Sequence, residues 1–229
     1  MTKTKNISGL ALLLTSILSV VTINNAAAVD GTAKKQGSTL LHLNAELEMP
    51  KSRNKWGTNN TGLQLPAKPF NVTNSWGASV GVTNFLTDNI AGKVSVGYTS
   101  LRLRENKDLA RQLGTKAVTR AHAFPVIVTA QFHANDMLSL PFGPYMGAGW
   151  HYTFVSNVSK DPERLRNATG PVIQLGINIP VDAKSAINIE VSKRWANHKA
   201  NFHTANTGKL NSKVHTDPLV VSAGVSFNL

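Results

Sequence analysis

LVVSAGVSFNL, residues Leu219 to Leu229, alternates large apolar side chains with small or polar ones. Successive side chains on a strand point in opposite directions. Leu219, Val221, Ala223, Val225, Phe227 and Leu229 therefore share one face, and Ser222, Gly224, Ser226 and Asn228 share the other. Such a segment is a strand that needs one apolar surround.

The same two-residue period recurs upstream. Leu41, Leu43, Ala45 and Leu47 alternate with His42, Asn44 and Glu46; Trp76, Ala78, Val80 and Val82 alternate with Ser75, Gly77, Ser79 and Gly81. After the Thr87-Asp88-Asn89 turn, Ile90, Val94, Val96 and Tyr98 face one way, and Lys93, Ser95, Gly97 and Thr99 the other. Val126, Val128, Ala130 and Phe132 oppose Ile127, Thr129 and Gln131, and Met146, Ala148, Trp150, Tyr152 and Phe154 oppose Tyr145, Gly147, Gly149, His151 and Thr153. Ile173, Leu175, Ile177 and Ile179 oppose Gln174, Gly176 and Asn178; Ile187, Ile189 and Val191 oppose Asn188, Glu190 and Ser192. With the last segment this makes eight strands.

Their connections alternate in length. Those after the second, fourth and sixth strands are short, whereas Pro50 to Asn71, Arg102 to Arg120, the stretch around Asp161, and Ala196 to Thr216 read as long polar connections. This rhythm is that of an all-β, eight-stranded antiparallel up-and-down barrel whose long loops emerge on one side. A soluble eight-stranded sandwich has no reason to sort its connections this way. Strand lengths also approach the roughly 9–11 residues of a tilted transmembrane strand. The expected architecture is a transmembrane β-barrel with its apolar face in lipid.

Lys3 and Lys5 precede the apolar run Leu10 to Ile23 and then Ala26, Ala27 and Ala28. That order is a secretory signal peptide, with cleavage expected after Ala28. Residues 1–28 are thus expected to be removed, leaving 29–229 as one barrel with long basic extracellular loops. The run is too short for the roughly 20 apolar residues of a retained membrane helix. The chain has no cysteine, so no disulfide framework is available.

Several segments resemble the OmpW family of small outer-membrane proteins. FPVIVTAQFHAND (Phe124 to Asp136) and FGPYMGAGWHYTF (Phe142 to Phe154) are similar to its paired central strands, and FLTDNIAGKVSVG (Phe85 to Gly97) to its second hairpin. INIEVSKRW (Ile187 to Trp195) looks like its seventh strand, and VHTDPLVVSAGVSFNL (Val214 to Leu229) like its last loop and strand. LLHLNAELEM (Leu40 to Met49) matches less well. The resemblance implies a multi-pass barrel in a Gram-negative outer membrane, narrow inside, that admits small molecules, hydrophobic ones among them. It implies no enzyme. It also implies that the barrel-insertion machinery reads the last strand, which here ends in Leu229 with Phe227 two positions earlier.

An eight-stranded barrel encloses just enough room for side chains or one small ligand. Lys93, Ile127, Gln131, Tyr145, His151, Gln174 and Glu190 are the lumen-facing candidates, and their polar groups must pair with one another or with water. Tyr145 and Ile127 are the inward exceptions, which either form an apolar patch or merely pack the core. Net charge is +12, with 24 Lys and Arg against 12 Asp and Glu. Arg53, Lys55, Arg102, Arg104, Lys107, Arg111, Lys199 and Lys209 are expected at a basic extracellular rim, with Lys193 and Arg194 near the last long connection. Such a rim suits phosphates of outer-leaflet lipid and lipopolysaccharide, or acidic solutes. Trp76, Tyr98, Trp150, Tyr152 and Trp195 are expected to anchor the barrel at the headgroup levels.

Other functions are excluded by missing patterns. The basic residues carry no helix-turn-helix, zinc-finger or RNP-like motif, so nucleic acid is not an expected partner. The histidines show no H-E-x-x-H spacing, no G-x-S-x-G elbow occurs, and neither metal nor cofactor is expected. The sequence therefore suggests a minor passive channel or binding barrel for small-molecule solutes. The alternative is a non-conducting structural or adhesion barrel whose basic loops bind surface glycolipid or an external partner.

Overall fold

The computed structural model describes residues 36–56, 70–105, 118–134, 140–157, 164–165, 167–204 and 208–229. The expected export segment, 1–28, lies outside the described residues. Among those described there are thirteen strands and no helix. They are β1 (Thr39–Met49), β2 (Ser52–Trp56), β3 (Phe70–Val72), β4 (Ser75–Phe85), β5 (Ile90–Glu105), β6 (Val118–His133) and β7 (Gly143–Asn157). Then follow β8 (Arg164–Leu165), β9 (Ala168–Pro180), β10 (Ser185–Arg194), β11 (Asn197–Thr204), β12 (Gly208–Thr216) and β13 (Leu219–Asn228).

Eight of these close a ring in the order β1, β4, β5, β6, β7, β9, β10, β13. Each is antiparallel to the next, and β13 returns to β1 in a register running from Leu40 opposite Asn228 to Met49 opposite Leu219. Closure leaves no strand edge unpaired, which is the condition for crossing hydrocarbon with strands.

Short turns gather at one end. Leu86 N–H donates to the Ile90 carbonyl at 2.8 Å, and the Thr87 hydroxyl accepts the Ile90 N–H at 2.9 Å, so four residues suffice to reverse the chain. In the β9–β10 turn, Asp182 Oδ1 accepts N–H bonds from Lys184 and Ser185 at 2.7 and 2.8 Å, and its Oδ2 accepts the Ser185 hydroxyl at 2.6 Å. The Ser185 hydroxyl and these two N–H groups hold the Asp182 carboxyl below its ordinary value.

The opposite end is more ordered than the sequence suggests. Arg102 to Arg120 is not simply a loop: β5 runs to Glu105, β6 begins at Val118, and Arg102 pairs with Arg120 across them. The Ala196 to Thr216 connection is largely the β11–β12 hairpin, to whose far side β2 adds through Ser52 opposite Thr216 to Trp56 opposite Ser212. Polar, helix-forming composition obscured these extensions because backbone pairing onto an existing barrel wall does not require an apolar face.

The outer wall is apolar along its height. Trp76, Val80, Val128, Met146, Trp150, Ile173, Leu175, Ile187 and Val225 are all exposed, Trp76 by 73 % and Leu175 by 62 %. A water-soluble protein rarely shows so continuous an apolar surface. The two-layer sandwich fails on this point, because it would bury those residues. We expect Leu175→Arg, midway along β9, to destabilise the folded barrel in lipid vesicles by about 2–4 kcal/mol in urea titrations, the cost of an arginine at mid-bilayer. A change below about 1 kcal/mol would mean that this wall does not meet hydrocarbon.

Candidate functional site

The bore is lined by the opposite phase of the same strands. His42, Asn44, Glu46, Thr83, Lys93, Thr99, Thr129, Gln131, His151, Gln174, Asn178, Asn188, Glu190, Ser192, Arg194, Ser222 and Ser226 are buried there. Burial without water demands partners, and the charged groups find them in two ion pairs.

The first pair lies toward the short-turn end. Lys93 on β5 donates from Nζ to Glu190 Oε2 on β10 at 2.7 Å, and the Tyr145 hydroxyl donates to the same oxygen at 2.8 Å. Asn188 Nδ2 donates to the Tyr145 oxygen at 3.0 Å and to Asn178 Oδ1 at 2.9 Å. The Tyr145 ring stacks on His133 at 5.0 Å, and His133 Nε2 meets Gln131 Oε1 at 3.1 Å. Gly176 makes this possible: a Cβ there would sit 2.4 Å from the Tyr145 ring. Below, Leu40, Phe85 and Ala91 form a small apolar cluster, with Phe85 4.7 Å from the His133 ring.

The second pair is Arg194 Nη2 on β10 with Glu46 Oε2 on β1, at 3.2 Å. Sequence reasoning placed Arg194 among the rim cations, and here the structure corrects it. Arg194 is two and four residues from Ser192 and Glu190, so the strand period turns it inward with them. That signal was present in the sequence but was outweighed by the adjacent polar connection. Glu46, Asn178 and Asn188 were also missed as partners, although they share the polar phase.

The seven lumen-facing candidates fall into distinct groups. Lys93, Glu190 and Tyr145 meet directly, Gln131 joins them through His133, and Gln174 Nε2 donates to Thr129 Oγ1 at 3.2 Å. His151 Nε2 contacts the Trp195 carbonyl at 3.1 Å and Nδ1 contacts Thr153 Oγ1 at 3.2 Å. Ile127 is buried opposite His151 in the β6–β7 register, whereas Tyr145 is opposite His133. Tyr145 and Ile127 thus make no common apolar patch. An apolar cluster does exist nearer the long connections: Leu101, Ala121 and Ala123 are buried together, with Val155 packed on them.

The outward aromatic residues carry polar tethers. The Tyr98 oxygen is 2.8 Å from His122 Nδ1, Trp150 Nε1 donates to Thr169 Oγ1 at 2.6 Å, and Asn167 Nδ2 donates to the Tyr152 oxygen at 3.0 Å. Trp76 and Trp195 are exposed at the ends of β4 and β10 nearer the long connections. Arg53 and Lys55 lie in β2, Arg102 and Arg104 in β5, Lys199 in β11 and Lys209 in β12. Lys107 and Arg111 lie outside the described residues.

The β5–β6 wall has one discontinuity. Pairing runs from Ile90 opposite Phe132 to Val96 opposite Val126 and resumes at Thr99 opposite Ala123. The missing pairs, Gly97 with Pro125 and Tyr98 with Phe124, are those that need an N–H at residue 125, and proline has none. The Leu101, Ala121 and Ala123 cluster lies just beyond this gap on the inner side. On the outer side the Tyr98 and Phe124 rings sit 5.4 Å apart.

Relatives and solved structures agree with this architecture. A Rickettsia bellii chain named as an outer membrane protein is 28% identical over 175 residues, 72% of this chain and 69% of that one. The crystal structure of the outer membrane protein OprG from Pseudomonas aeruginosa superposes with a TM-score of 0.74 at 16% identity, over 87% of this chain and 99% of OprG. The solution structure of the E. coli outer membrane protein W gives a TM-score of 0.52 at 22% identity, over 85% and 99%. The OmpW family profile matches residues 35–229. With its closed eight-stranded antiparallel ring, the chain belongs to the OmpW family and is an outer-membrane β-barrel.

Proposed function

We propose that this protein is a passive entry barrel for small, neutral, largely apolar molecules, which enter from the long-connection rim and leave sideways through the wall between β5 and β6. The observation that carries this reading is the Pro125 gap, flanked by apolar side chains inside and aromatic rings outside. The two strands separate there at less cost than elsewhere, because one ladder bond is already missing. An apolar solute in the upper bore then passes from one apolar surface to another without crossing the polar network below.

Charge supports the choice of a neutral cargo. The long connections are rich in Lys and Arg, while the buried carboxylates of the bore, Glu46 and Glu190, are each held in an ion pair. In this resting arrangement a charged solute finds no free counter-charge in the bore, whereas a neutral one needs none. The expected roles of lipopolysaccharide at the basic rim and of the insertion machinery at β13 are parts of the same proposal.

Replacing Pro125 by alanine supplies the missing N–H. A restored ladder bond of about 1 kcal/mol should lower the open population of the wall, and with it the uptake of an apolar fluorescent solute into vesicles, about fivefold. Uptake equal to wild type in a folded P125A barrel refutes the lateral path. If wild-type barrels take up no solute at all, the non-conducting adhesion barrel with glycolipid-binding loops replaces this reading.

A further inference from the structure

The Lys93–Glu190 pair runs across the bore. From β5 to β10 is four steps around the ring through β6, β7 and β9, and also four steps through β4, β1 and β13. The two strands are therefore diametrically opposed, and a 2.7 Å contact between their side chains bars the axis. Arg194 and Glu46, by contrast, join strands only two steps apart.

These four charges are coupled beyond their nearest partners. Lys93 acts electrostatically on Glu46, and Glu48 and, more weakly, Glu190 act on Arg194. Breaking either pair alone would leave a buried charge uncompensated, at a cost of several kcal/mol. An exchange avoids that penalty: Lys93 turns to Glu46, two steps away on its own side, and Arg194 turns to Glu190, on the same inner face of β10. In the exchanged arrangement no ion pair crosses the axis.

We propose that Lys93–Glu190 is a latch on an axial hydrophilic passage for water and small inorganic ions, opened by exchange of partners among Lys93, Glu190, Glu46 and Arg194. This passage is separate from the lateral path above and does not depend on it. The surrounding groups suit it. Gln131 Nε2, Asn178 Nδ2 and Asn188 Oδ1 are buried around the latch without a protein partner, offering donors and an acceptor to whatever moves past. Tyr145 is a positioning residue, holding Glu190 toward Lys93 while Asn188 holds its hydroxyl.

The test is single-channel recording of the full barrel in planar bilayers in potassium chloride, with folding of each variant checked by heat-dependent gel migration. Lys93→Met removes the crossing pair and should raise open probability about tenfold, equivalent to about 1.4 kcal/mol. The reversed pair, Lys93→Glu with Glu190→Lys, should return it to the wild-type level. Glu46→Gln together with Arg194→Met removes the exchange partners without stranding a charge and should lower open probability below wild type, which simple loosening of the barrel would not do. Tyr145→Phe, which leaves all charges in place, should raise it about threefold and carries the test if K93M does not fold. Unchanged conductance in a folded K93M or Y145F barrel overturns the latch. So does a reversed pair that stays open, and so does a folded barrel carrying both E46Q and R194M that opens as often as wild type.

Discussion

Gly149→Val will prevent the barrel from closing. A Cβ at residue 149 would lie 1.9 Å from the Val128 carbonyl oxygen and 2.7 Å from the Thr129 Cα on the neighbouring strand β6. Overpacking against mobile side chains commonly costs about 1–3 kcal/mol. Here the obstacle is backbone inside a hydrogen-bonded ladder, where Thr129 faces Gly149 directly, so relief requires the strands to part. The expected loss is at least about 3 kcal/mol, at the top of that range. Purified G149V should show no heat-shifted band after refolding into vesicles. Gly92→Ala is the matched control: nothing lies within 4 Å of its added Cβ, and it should refold like wild type. Equal refolding of G149V and wild type would mean that β6 and β7 are not registered as described.

Arg194→Ala should be the most damaging change among the inward charges. Both members of the Arg194–Glu46 pair are buried, with side chains 5% and 10% exposed. Deleting one leaves the other uncompensated in a low-dielectric bore, which typically costs about 3–5 kcal/mol. Adding Glu46→Gln should recover part of that loss, since the carboxylate bonded to Arg194 loses its charge while Glu48, which also acts on Arg194, remains. Urea unfolding of the two variants in the same vesicles measures both values. If R194A alone lowers stability by less than about 1 kcal/mol, the range of an exposed pair, Arg194 faces solvent.

The faces of the strands were legible because period-two alternation survives wherever one side meets hydrocarbon and the other meets polar side chains. Trp76, Val80 and Val225 could be assigned outward on that basis, and Gln131, Asn188 and Glu190 inward. What alternation cannot give is height and azimuth. Lys93 and Glu190 are 97 residues apart in the chain, and Arg194 and Glu46 are 148 apart. Their meeting depends on ring order and on strand stagger, neither of which is written in any single segment. The extensions of β5 and β6 escaped for another reason. Arg102 to Glu105 and Val118 to Arg120 are mostly charged or polar, with Leu103 and Val118 the exceptions, and pairing there continues a wall begun by apolar neighbours. The alternation noted in the sequence starts at Val126, yet the strand runs through Pro125 from Val118, because the proline loses a bond to β5 alone and keeps its pairing with β7.

The β1–β13 seam sets the order of events during assembly. Leu40 pairs with Asn228, so the first and last strands of the ring are separated by nearly the whole described chain. Until that seam zips, two strands carry bare amide and carbonyl groups that hydrocarbon cannot satisfy. Closing so long a loop is slow, since its entropy is lost before any local contact compensates. Partial rings are therefore disfavoured in hydrocarbon, and the pairing of β1 with β13 is the step that completes the wall.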